Sequence, residues 1–252
     1  MKKIFYIFFL LLGSTLFSEA ATRGDVNIIE ASENIRYLSQ KIVKDYLFLY
    51  KHPDKVLVKN ELKKILDMLN NDFRIIATTT KDTDTKDILE FLAYSKDQIE
   101  QIFAEKPDKE KAALMLDYSE TLLEGADSIA AAHKYEFSRE EKMIMVTKKM
   151  EYLFERVTKY YMALHVGFDN TTNKEQMEKA MIGIEESLLE ISLYDYPKEI
   201  KGIQKNIDKS WRANRIFFSK SENLFIPKLM FTSIDYLENI TMQLALYHSK
   251  NQ

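Results

Sequence analysis

A guanidinium, two amides, a hydroxyl and two ammonium groups crowd into eleven residues near the start of the chain, and they are the groups best placed to do chemistry. Arg36, Gln40, Val43 and Lys44 recur at spacings of three and four, with Asn34, Ser39 and Lys41 beside them. Such spacing puts side chains on one stripe of a helix. Arginine offers a planar fork of donors whose charge does not titrate away, so flanking amide and hydroxyl donors would complete a site for a small anion. The same spacing also allows Arg36 to pair with Glu33 or Asp67 on the helix surface, and spacing alone leaves both open.

Other chemistries find less support. His52, His133, His165 and His248 each fall near an expected helix end, and none has Glu three positions before it, so the Glu-x-x-His pairs of di-iron bundles are missing. His133 and His248 stand 115 apart, and His165 could join one of them at a bundle end in a metal or haem site; capping of helix C-termini is the alternative. Eleven methionines occur, but Met150 and Met177 sit in apolar seams where methionine fills core space. Glu140-Glu141 and Glu185-Glu186 read as solvated helix surface rather than an acid/base pair. There is no His-Glu-x-x-His, phosphate-binding glycine loop or Gly-x-Ser-x-Gly. With no cysteine at all, disulfides, thiolate metal sites and thiol nucleophiles are excluded. A non-enzyme without a cofactor is expected.

The elements that must position these residues are helices. Only 6 Gly and 4 Pro interrupt 252 residues that are 46% hydrophobic and 30% charged, which favours a mostly helical fold with few connections. The segment Tyr37 to Tyr50 returns as Tyr152 to His165, 115 positions on. Tyr37, Leu38, Lys44, Tyr46 and Leu49 are matched by identical residues, and Ala31, Ile35, Leu38, Ile42 and Leu49 fall on Val146, Met150, Leu153, Val157 and Leu164. At the same offset Ile88, Leu92, Ile102 and Phe103 fall on Ile203, Ile207, Phe217 and Phe218. Asp117-Tyr118 matches Asp235-Tyr236 at 118, so the last loop has gained about three residues.

Eight helices in two sets of four follow. Asp25, Asp54, Ser138 and Thr172 are the expected N-caps, the last two in capping boxes, with a loop over Thr78 to Asp84 and a stop at Gly167. The fold class is all-α: two tandem antiparallel four-helix bundles, over 21–136 and 137–252, or one elongated rod if the fourth helix runs nearly straight into the fifth.

Residues 1–20 have the form of an export signal: Lys2-Lys3, an apolar run, then Ser18-Glu19-Ala20. Cleavage after Ala20 and a periplasmic location are expected; an uncleaved membrane anchor is the alternative. Losing Lys2, Lys3 and Glu19 moves the formal charge from −3 to −4, a balance that argues against nucleic acid as a partner.

The run Asn34-Ile-Arg-Tyr-Leu-Ser-Gln-Lys-Ile-Val-Lys44 resembles the leading-helix motif of the PilJ-type sensory domain of type IV pilus chemoreceptors, which is related to the nitrate sensor NarX. Arg36, Leu38, Ser39 and Gln40 match that motif and Lys41 replaces its last arginine, while Glu33 stands for its glycine and Asn34 for its first arginine. In the second copy Lys149 aligns with Asn34, Glu151 with Arg36 and Glu155 with Gln40, and Arg156 keeps the cation of Lys41. The resemblance implies a sensory bundle whose ligand-binding residues are Asn34, Arg36, Ser39, Gln40 and Lys41, with Lys149 and Arg156 as second-copy equivalents. It also implies a small nitrate- or nitrite-like anion as ligand and a membrane histidine kinase or chemoreceptor as partner, with a homodimer as a further option. A structural adaptor presenting Tyr160, Tyr161 and Trp211 to a protein partner is the alternative from a different class.

Overall fold

The computed structural model describes residues 23–221 and 224–252. The expected signal peptide, its cleavage point and the anchor alternative lie outside the described residues. Among the described residues eight helices make up the fold: α1 (Arg23–Lys51), α2 (Val56–Thr79), α3 (Thr83–Ala104), α4 (Lys109–Ala132), α5 (Arg139–His165), α6 (Thr171–Ser192), α7 (Lys198–Ser219) and α8 (Pro227–Ser249). The described residues contain no strand, and none of their helices is long and apolar enough to cross a membrane.

Local chemistry sets the ends. Ser138 and Glu141 form the expected capping box at α5, Asp108 accepts from the Lys111 amide at α4, and Gly167 takes the positive φ of 103° that stops α5. Elsewhere the expected caps are displaced. Asp25 lies inside the first turn of α1, because the helix already runs from Arg23, and its carboxylate reaches His133 instead. At α2 the N-cap is Lys55, with no side-chain bond, rather than Asp54. The α6 cap is Asn170, whose oxygen accepts from the Asn173 amide, so Thr172 sits within the first turn. Asp82 caps α3 and cuts the expected loop to three residues, 80–82.

Helix packing closes two rings. α1 lies against α2 and α4, and α3 completes that ring; α5 lies against α6 and α8, and α7 completes the second. The rings are joined along α1 and α5, and one hydrophobic core runs through both, from Ile35, Leu38 and Ile42 to Met150, Leu153 and Val157. Asn34 meets Lys148 while Lys44 meets Glu155, so the two helices run parallel and side by side. That placement replaces the end-to-end rod, because the apolar stripes of both leading helices find cover in each other.

The two rings repeat contacts as well as sequence. Asp25 bonds His133, and 115 positions on Glu140 bonds His248. Tyr46 meets Phe103 edge-on at 5.6 Å, and Tyr161 meets Phe218 at 5.7 Å. The aromatics expected to be displayed to a partner are buried: Tyr160, Tyr161 and Trp211 are at most 3% exposed. Tyr161 bonds the backbone at Leu224 and Ile226, and Trp211 packs on Phe154 and Phe218.

Candidate functional site

The α1–α5 seam collects most of the buried charge. Lys44 Nζ lies 2.9 Å from Glu155 Oε1 and 2.8 Å from Oε2, and Lys41 Nζ lies 3.2 Å from Oε1. Lys44 and Glu155 are essentially sealed from solvent. Glu238 of α8 joins them, 3.8 Å from Lys41, and accepts a hydrogen bond from the Tyr37 hydroxyl. Burial, and then the neighbouring Glu155, push the Glu238 carboxyl well above the usual range. Burial works the same way on Glu155, but Lys44 and Lys41 overcome it and hold that group low. The site thus favours the neutral form of Glu238 and the charged form of Glu155, as expected of two carboxyls sharing one buried site.

A mirrored set lies on the other side of the seam. Arg156 binds Glu120 of α4 through both guanidinium ends, at 3.0 and 2.7 Å, and also reaches Gln40 at 3.3 Å and Gln176 at 2.9 Å. Lys159 donates to Ser119 and to Glu120. Burial would raise the Glu120 carboxyl, but Lys159 and Arg156 bring it down to about 2. Lys159 itself is lowered by burial to about 8. The pairs Lys41–Glu155 and Gln40–Arg156 exchange under the 115 offset, and Lys41–Glu238 and Arg156–Glu120 exchange when α4 and α8 are related by 118.

The motif residues from the sequence thus lie on one seam, but in different company. Gln40 and Lys41 face α5 directly, and Arg156 joins them. Ser39 accepts from Gln40 and donates to the Arg36 carbonyl, locking the helix locally. Asn34 bridges Asp72 of α2 and Lys148 of α5. Arg36 stacks over the Tyr152 ring at 4.5 Å and holds Glu33 at 2.7 and 2.8 Å. Its Nε also lies 2.7 Å from Asp127 of α4, without the alignment of a hydrogen bond. Of the two carboxylates anticipated for Arg36, Glu33 is the one engaged; Asp127 takes the place of Asp67. Lys149 is outside the seam, 42% exposed and 3.9 Å from Glu186.

Glu155, Glu238, Glu120, Lys159 and Tyr152 were not singled out from sequence. A signal was there: Lys159 repeats Lys44, Glu155 takes the place of Gln40, and Glu120 and Glu238 share the 118 offset.

The histidines sort to opposite ends. His133 and His248 lie at the end where α1 and α5 begin, each on its own carboxylate. His165 lies at the far end of α5 against Tyr161 and Phe225, so it joins neither. Glu140 and Glu141 are engaged rather than simply solvated, with Tyr194 and His248, and with Tyr135 and Ser138. Among the described residues no group of three or more His, Asp or Glu is placed to hold a metal ion. Comparison with protein-family models, curated proteins and solved structures finds no match.

Proposed function

We propose that this chain is an exported, non-enzymatic sensory module of the PilJ/NarX kind, in which the charged seam between α1 and α5 is the element that responds. The observation that carries the reading is the setting of Arg36. Its guanidinium stacks on α5 through Tyr152 and is held by a buried Glu33, while its remaining partner, Asp127, is 51% exposed and poorly aligned. A small nitrate- or nitrite-like anion could take the place of Asp127 on that fork without leaving a buried charge unpaired. Releasing Asp127 removes one polar tie between α4 and α1 while their apolar contact remains, and a shift of α1 along α5 would pass to a membrane histidine kinase or chemoreceptor. Ion pairs suit a sliding contact, since they have discrete alternative partners along a helix.

A thermal-shift series against nitrate, nitrite and small carboxylates tests the reading. Specific binding raises the melting temperature with ligand concentration as RT ln(1 + [L]/Kd), and Arg36→Ala is expected to abolish the rise. No shift in the wild type, or an equal shift in Arg36→Ala, removes the anion site. The adaptor reading keeps one observation of its own: Phe91 and Tyr94, three apart on α3, are 62% and 59% exposed. It calls for no shift with any anion and for loss of partner capture on Phe91→Ser.

A further inference from the structure

At the end of the first ring opposite His133, the α1–α2 and α3–α4 connections line an open pocket of about 610 Å³. That volume is in the range of small-molecule sites. Its apolar lining includes Leu49, Leu62, Leu66 and Phe103, and Tyr46 of α1 forms part of the wall. Tyr46 is 1% exposed, yet its hydroxyl has no hydrogen-bond partner. A buried hydroxyl left unpaired is costly. Burial pushes its pKa up to about 12, so it remains a donor.

The second ring shows what is missing. Tyr161, the counterpart of Tyr46, has both its hydrogen bonds: it donates to the Leu224 carbonyl at 3.0 Å and accepts from the Ile226 amide at 2.7 Å. Between those two residues, the Phe225 ring lies against Tyr161 and His165. Under the 118 offset Phe225 corresponds to Pro107, which lines the cavity of the first ring, and Ile226 to Asp108. After burial, the Asp108 carboxylate raises the Tyr46 pKa further; the Asp108 backbone approaches the hydroxyl and acts the other way, without the alignment of a hydrogen bond. The first ring thus keeps the donor side but lacks the acceptor oxygen and the ring.

We propose that this cavity binds a small aromatic carboxylic acid, whose ring enters the apolar space left by the change from Phe225 to Pro107 and whose carboxylate accepts from Tyr46. The rim favours an anion. Among the described residues Lys59, Lys63 and Lys106 are exposed there without an ion-pair partner; against them stand Asp54 and the two carboxylates Glu105 and Asp108, which share Lys111, so cations exceed anions by one. In the second ring, the backbone N, Cα and Cβ of Phe225 separate the acceptor carbonyl from the phenyl ring. The same separation between carboxyl carbon and ring is found in 4-phenylbutyrate, which is therefore the probe. The proposal does not depend on the anion site at Arg36.

Calorimetric titration of the full chain with 4-phenylbutyrate is the test. One saturable site is expected, with affinity at least tenfold weaker in Tyr46→Phe, which loses a hydrogen bond to a charged group. Affinity should also fall several-fold in the double variant Lys59→Gln/Lys63→Gln, whose exposed positions leave folding intact. Butyrate and 4-phenylbutanol, each lacking one half of the recognition pattern, should bind at least tenfold more weakly. No saturable heat with the wild type, wild-type affinity in both Tyr46→Phe and the lysine variant, or equal binding of butyrate overturns the proposal.

Discussion

Glu155 shows what a single residue contributes to the seam. It has no exposed surface and is the shared counter-ion of Lys41 and Lys44. Removing one partner of a buried pair leaves an uncompensated charge, so Glu155→Gln is expected to destabilise the fold by about 3–5 kcal/mol in urea unfolding. The apolar double variant Lys44→Met/Glu155→Leu should recover most of that loss, because it removes the desolvation burden along with the attraction. The pH dependence follows from the same burial. Asp45 and Asp72 are raised by burial to about 6, Glu151 to about 7, and Glu238 well above its ordinary value. Between those values and the ordinary ones the native state holds more protons than the unfolded chain, so stability falls as pH rises through them. Glu120, at about 2, and the depressed Glu155 act in the opposite sense, contributing stability that is lost in acid below the ordinary carboxylate range. Lys159, at about 8, lets stability recover only above that pH. The urea midpoint is therefore expected to be higher at pH 5 than at pH 7.5, and Glu238→Gln should flatten the difference. The repeat marks Glu155 and Glu238 by position, but their burial and pairing were not legible in the sequence, where each looks like any helix-surface carboxylate until the partner helix is known.

At the scale of the element, the apolar stripes fixed by steps of three and four gave the eight helices of the described residues, since burial on one face is what a period of 3.6 encodes. Their ends were readable where one good signal was present, as at Ser138 and Gly167, and misread where two candidates competed, as with Asn170 and Thr172. How closely two helices approach is not a property of either one alone. A Cβ on Gly125 of α4 would fall 2.4 Å from a methyl of Leu92 on α3, itself fully buried, whereas one on Gly202 of α7 would meet nothing within 4 Å. Gly125→Ala is expected to lose about 1–3 kcal/mol through overpacking despite better helix propensity. Gly202→Ala should gain up to about 1 kcal/mol. Thermal unfolding of the two variants beside the wild type checks the contrast, and equal effects would mean that α3 and α4 are less closely packed than described.

For the molecule as a whole, the repeat told how many helices to expect but not how the two sets meet. Tandem order in the chain is compatible with a rod and with a side-by-side pair, and the contacts that decide between them link residues more than a hundred positions apart, such as Lys44 with Glu155 and Gln40 with Arg156. The seam proposed to respond exists only if α1 and α5 run parallel in contact. The chain has no native cysteine, so spin labels can be placed without background at Lys51→Cys and Asp169→Cys, both exposed, beyond or at the far ends of the two leading helices. With α1 and α5 side by side, helix axes about 8–10 Å apart put the labels within about 25 Å in an electron–electron distance measurement. A separation of about 75 Å, two lengths of a 25-residue helix, would mean that the leading helices lie end to end and would contradict the seam and the function proposed for it.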